Sequence, residues 1–246
     1  MPRQRERDRT ANYSFRINYL RSYSIRGTGR SPGQVANSQY SAGMTFTESL
    51  GIADATNREM WETIYRAPFD GSIVTHKTLY LIGLIDLALE HQAAINLLIR
   101  QKHPGSAMAL VRSVIEAMYK GAWVIAKASE RDAEKIRQDK FDFPGTGTMV
   151  SEADAAFQTG GFFAEAKKGN WKTLNSFTHS GGMQLGRRFT QNDLAINYPD
   201  HELQYAVTST LTAIGVLALP FLASVGRTDD VQKLTAILER ISTWPQ

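Results

Sequence analysis

The chain has 246 residues, 42% of them apolar and 21% charged, and no cysteine. That is enough chain for a sizeable core, and it excludes disulfides, thiolate metal sites and a cysteine nucleophile. The formal charge of +4 is unevenly spread: residues 1–43 hold eight arginines against Glu6 and Asp8, a net of +6, whereas residues 44–246 carry −2.

An Arg-rich segment interspersed with Ser, Gly and Asn has little apolar surface to bury, so residues 1–43 read as a basic, disordered tail or a mis-assigned start. Such a tail can neutralise phosphates. It lacks the apolar stretch of a secretory signal, and with the missing cysteines this points to the cytoplasm. Residues 44–246 read as a single helical domain.

The segment TNREMWETIYRA (56–67) predicts a short amphipathic helix with Met60, Ile64 and Trp61 inward, broken by PFDGS (68–72). From Ser72 to Arg100 apolar residues recur every three or four positions, which is helical spacing. QKHPGS (101–106) stops that helix and restarts another with Pro104 in its first turn, running to Ser129. The short connection makes the two an antiparallel hairpin. A charged helix over 130–141, a loop at 142–148 and a helix broken near Gly160 and Gly161 follow. A separate helix over 170–179 should end on the glycines of Ser180-Gly181-Gly182. Residues 203–226 carry no charge and are long enough to cross a bilayer. Their early Thr and Ser residues and Pro220 favour a buried core helix instead. A closing helix over 229–241 should be capped by Thr228 or Asp229. The fold class is all-α: a bundle of six to eight helices built on the long hairpin.

Arg112 and Glu116 lie four apart and so share a face, with Tyr119 following. Asp86 and Glu90 stand four apart on the preceding helix, and the hairpin brings them level with residues 115–119. This predicts one polar layer of Asp86, Glu90, Arg112, Glu116 and Tyr119, either an ion network that fixes register or the lining of a cleft. In such a layer, truncating Arg112 alone should cost more stability than truncating Arg112 and Glu116 together. A carboxylate-bridged metal pair needs Glu-x-x-His, and Glu116 is followed at that spacing by Tyr119, so no metal and no cofactor is expected.

Asn175 and His179 are also four apart, with His179 at a helix end and Arg187 and Arg188 shortly beyond the glycines. His179 there suits a general acid or base near neutral pH, with the arginines as phosphate holders; equally, it can cap its helix or join the polar layer. No P-loop, nucleophile elbow or H-E-x-x-H zinc helix is present; His201-Glu202 is followed by Tyr205 where the zinc motif needs histidine.

The blocks HQAAINLLIRQKHPGSAMALVRSVIEAMYKGAWV and LNSFTHSGGMQLGRR resemble a bacterial domain family of unknown function over about residues 75–225. That resemblance implies a compact helical domain. LNSFTH is also similar to the Arg-Asn-x-x-x-His motif of the HEPN superfamily, helical bundles that include metal-independent RNases. It matches at Asn175 and His179, with Leu174 in place of the arginine. The HEPN resemblance implies RNA as partner, a homodimer with no membrane association, and a role in phage defence or toxin action. His179 would be the acid/base, oriented by Asn175. Lys172, Arg112, Arg187 or Arg188 would supply the missing cation, with Glu116 beside Arg112. The alternative is a non-catalytic interaction module with a buried Arg/Glu/His network.

Overall fold

A computed structural model of the chain describes residues 45–66, 74–191 and 193–244. The Arg-rich segment 1–43 and the expected break at 68–72 lie outside the described residues. Within them the protein is all-helical, and its bridge pairing is limited to Phe189 with Leu194.

Helix α1 spans Phe46–Tyr65, ten residues longer at its start than the apolar spacing predicts. Thr47, Ser49, Gly51 and Asp54 make this stretch a poor helix former, but Thr45 and Glu48 close a capping box at its start. Leu50 and Ala53 are buried, and Ser49 Oγ donates to Gln204 Oε1 at 2.6 Å. Met60 and Ile64 point inward as expected. Trp61 does not: it is 50% exposed and rests against Tyr65.

Helices α2 (His76–Arg100) and α3 (Pro104–Ala126) form the expected hairpin. Lys102 takes the left-handed conformation, φ 62°, that lets His103 N donate back to Leu98 O at 2.8 Å. α3 is the central helix, packed against α2, α5 (Thr146–Phe157), α6 (Phe162–Thr178) and α8 (Asp200–Ser224). Lys77 of α2 closes its C-terminal end, its Nζ donating to Ile125 O at 3.2 Å and, just past the helix, to Ala128 O at 3.0 Å. α4 (Glu130–Arg137) is the short charged helix, and α9 (Thr228–Ser242) closes the bundle against α8 and α1. The α9 N-cap is Arg227, not Thr228 or Asp229; instead of capping its own helix through a side chain, Arg227 donates to Ile64 O and Thr63 O at the end of α1.

The uncharged span is α8, which is mostly buried in the bundle and touches α1, α2, α3 and α9. The hydroxyls of Thr208, Thr210 and Thr212 each lie within bonding distance of the carbonyl four residues earlier, and Thr210 also reaches Gln92 Oε1 of α2. By length and composition α2 and α8 would both reach across a membrane.

The expected helix over 170–179 is the second half of α6, which runs unbroken from Phe162. The residue that ends it is also not a glycine. Ser180 takes the left-handed position, φ 51°, and Gly181 N donates to Ser176 O at 2.7 Å. Gly181 is needed for space: a side chain there would press on the Ser176 backbone, 3.0 Å from its Cα. Ser176 Oγ in turn accepts from Met183 N at 3.0 Å and starts the short α7 (Gly182–Gly186).

Candidate functional site

Position around the α2 helix decides which of its polar residues meet α3. Leu81, Ile85, Ala88, Leu89, Gln92, Ile95, Asn96 and Ile99 form the inward face of α2. Asp86 and Glu90 lie outside it and are exposed. They are level with α3 but do not face it, so the predicted five-residue layer does not form. Asp86 instead accepts from Tyr65 Oη at 3.2 Å. The buried polar pair of α2 is Gln92 and Asn96.

On α3, Arg112, Glu116 and Lys120 form a half-buried stripe along one face. Glu116 takes both cations, Lys120 Nζ at 2.9 Å from Oε1 and Arg112 at 3.7 Å from Oε2. Lys120 also lies 5.2 Å above the Phe143 ring. Tyr80 stacks on that ring, and burial, with the Glu116 charge beside it, pushes its hydroxyl up to about 12. Tyr119 is buried behind the stripe, 5.8 Å from the Trp171 ring; burial first, then the charge of Asp154, raises its pKa.

α6 crosses this stripe at its end. The Arg112 guanidinium lies 5.0 Å from the Trp171 centroid, and its Nη1 is 2.6 Å from His179 Nε2. A guanidinium only donates, so Nε2 is the accepting nitrogen and the ring proton sits on Nδ1. Leu174, where the HEPN motif has arginine, is buried. The cation beside His179 comes from α3 instead, from a residue 67 positions away. His179 is exposed, while Arg112 Nε and Asn175 Oδ1 are sealed from solvent without a hydrogen-bond partner among the described residues.

The remaining basic candidates stand apart from that pair. Arg187 is paired with Glu202. Arg188 packs on the first turn of α3, where a side chain at Gly105 would come 2.9 Å from its Nη2 and 3.2 Å from Tyr198 Oη. Lys172 is exposed. Among the described residues, no three His, Asp or Glu side chains converge as metal ligands. Trp171 and Lys120 were missed by the sequence reading. Trp171 sits eight residues before His179, two helical turns back on the same face, and that spacing was the available signal.

These features define an all-helical bundle carrying an exposed Arg-His pair backed by aromatic rings. The chain belongs to DUF6988, a family of unknown function, which matches residues 85–241 and so takes in Arg112, Glu116, Lys120, Trp171 and His179. Comparison with curated proteins and with solved structures gave no match.

Proposed function

We propose that the protein binds single-stranded RNA and cleaves it without a metal, at the Arg112-His179 pair. The observation that carries this reading is the 2.6 Å contact between Arg112 and His179 at an exposed edge. A phosphodiester is a charged acceptor and competes with the neutral imidazole for the guanidinium. Arg112 then holds the phosphate and Nε2 is left bare beside it. His179 takes the proton of the 2′-hydroxyl, whose oxygen attacks phosphorus; the bond to the 5′ oxygen breaks, that oxygen takes a proton from water, and His179 returns its own to solvent. The products are a 2′,3′-cyclic phosphate and a 5′-hydroxyl. Lys120 offers a second cation further along α3, and Asn175 lies one turn before His179, its backbone carbonyl accepting from His179 N. Supporting this reading are the likeness of LNSFTH to the HEPN motif and the supply of its missing cation by Arg112. That likeness also carries the proposal of a cytoplasmic homodimer acting in phage defence or as a toxin.

One observation favours the non-catalytic alternative: Glu116 already holds both Arg112 and Lys120. Labelled single-stranded RNA, incubated with chelator, separates the two. His179→Ala should keep binding and lose cleavage, whereas Arg112→Ala should lose both. Cleavage retained in a folded His179→Ala variant removes the catalytic role, and an absence of RNA binding by the wild type favours the interaction module.

A further inference from the structure

The face of α3 that carries Arg112 receives another cation nearer its start. Gly105, Ala109 and Arg112 are four and three apart, so they lie in the row that continues to Glu116 and Lys120. At the level of Gly105 the Arg188 guanidinium rests on the helix, beside the Tyr198 hydroxyl. The Tyr198 ring is 6.1 Å from that of Phe177, which ties it to α6. Arg188 is half-buried, and its side chain has no carboxylate or hydrogen-bond partner among the described residues. The Tyr198 hydroxyl is sealed from solvent and likewise unpartnered there. Glu202, whose charge also reaches Tyr198, is taken by Arg187. A guanidinium partly withdrawn from water without a counter-ion binds an arriving phosphate strongly.

We propose that Arg188 is a second phosphate site, holding the backbone of the RNA strand whose scissile phosphate lies at Arg112 and His179. This inference rests on the reading of that pair as an RNA site. Gly105 and Arg112 are seven residues apart, about 10 Å along α3 at about 1.5 Å per residue. A stacked strand advances about 3.4 Å per nucleotide, so about three nucleotides cover the span, and fewer of an extended strand. The surface between is small and uncharged: Ala109, the exposed Ser106, and the exposed Thr178 of α6, whose Oγ1 lies 3.5 Å from Ala109 O. In the other direction Glu116 comes one turn after Arg112 and holds Lys120 at 2.9 Å, so a phosphate displaced that way meets a carboxylate. The charges thus direct the strand from the pair towards the start of α3. The favoured substrate is a single strand of about four nucleotides or more, gripped at two phosphates with an uncharged stretch between them.

Binding of 2′-O-methyl oligouridylates of two and six nucleotides, which cannot be cut through the 2′ oxygen, tests this by calorimetry on the full chain. The wild type should bind the hexanucleotide at least tenfold more tightly than the dinucleotide. Arg188→Ala and Arg188→Gln should both lose most of that advantage, while Arg188→Lys should keep it within about threefold. The salt dependence of hexanucleotide binding should flatten by about 0.7 in log Kd per log salt in the alanine variant, the mark of one lost phosphate contact on a single strand. Lys120→Ala should cost less than either neutral variant at 188. An undiminished length advantage in Arg188→Gln, or an equal loss from Lys120→Ala, would overturn the second site while RNA binding at the pair still stood. A wild type that binds neither oligonucleotide would remove the RNA reading and this site with it.

Discussion

Arg112 lies over the ring of Trp171, 5.0 Å from its centroid, and the same guanidinium reaches His179. The ring is on α6 and His179 is its C-cap, so one arginine of α3 touches α6 at two points, beside the Tyr119–Trp171 contact. Cation–ring contacts of this kind contribute about 0.5–1 kcal/mol when partly exposed. A double-mutant cycle of Arg112→Ala with Trp171→Leu, followed by chemical denaturation, should give a coupling of about that size. A coupling of zero would mean that the ring does not hold the arginine.

Glu116 corrects the expectation that a lone Arg112 truncation is the worse one. Its carboxylate keeps Lys120 at 2.9 Å and remains partly open to water, so removing Arg112 does not strand a buried charge. Arg112→Ala should therefore be no less stable than Arg112→Ala/Glu116→Ala. A clearly lower Tm for the single variant would show that Glu116 depends on Arg112.

Burial raises the hydroxyl pKa of Tyr65, Tyr80, Tyr119 and Tyr205, that of Tyr80 to about 12. In the unfolded chain these tyrosines ionise near pH 10. Between those values the folded state holds the protons and the unfolded state releases them, so stability is intact below about pH 10 and falls as pH rises towards 12. Thermal unfolding from pH 8 to 11.5 should show that decline, and Tyr80→Phe should make it shallower. A Tm independent of pH in this window would contradict the burial of these rings.

Gly215 marks the close crossing of α8 and α9: a side chain there would come within 2.7 Å of Leu238 Cδ1 and 2.9 Å of its Cγ. Gly215→Ala should cost about 1–3 kcal/mol through overpacking. Adding Leu238→Ala should recover part of that loss, which denaturation of the single and double variants would reveal.

Asn96 is fully buried, accepting from Gln92 at 3.1 Å and donating to Asp54 at 2.8 Å, while Arg100 holds the other Asp54 oxygen at 2.5 Å. Asn96→Leu would leave Gln92 and Asp54 each short of a partner, at a cost of about 1–3 kcal/mol. A variant as stable as wild type would show that water replaces the amide.

The helices were legible because apolar spacing reports a buried face, and α2, α3 and α8 carry long runs of it. The start of α1 was not, because what makes it helical is a cap and a contact with Gln204, neither of which is a periodicity. The pairing of Arg112 with Glu116 could be read from their spacing on one helix. The meeting of Arg112 with His179 was one of several arrangements the spacing left open, since it depends on how α6 crosses α3. Asp86 and Glu90 were misplaced because distance along a hairpin fixes level and not the direction a side chain faces; Gln92 and Asn96, two polar residues on the inward apolar face, were the pattern to follow.

A proton moved by His179 beside Arg112 would be written in the end groups of fragments formed from single-stranded RNA by the full chain in the presence of chelator. The wild type should give 2′,3′-cyclic phosphate ends and His179→Ala none. No fragments from the wild type, or the same fragments from a folded His179→Ala variant, would contradict it.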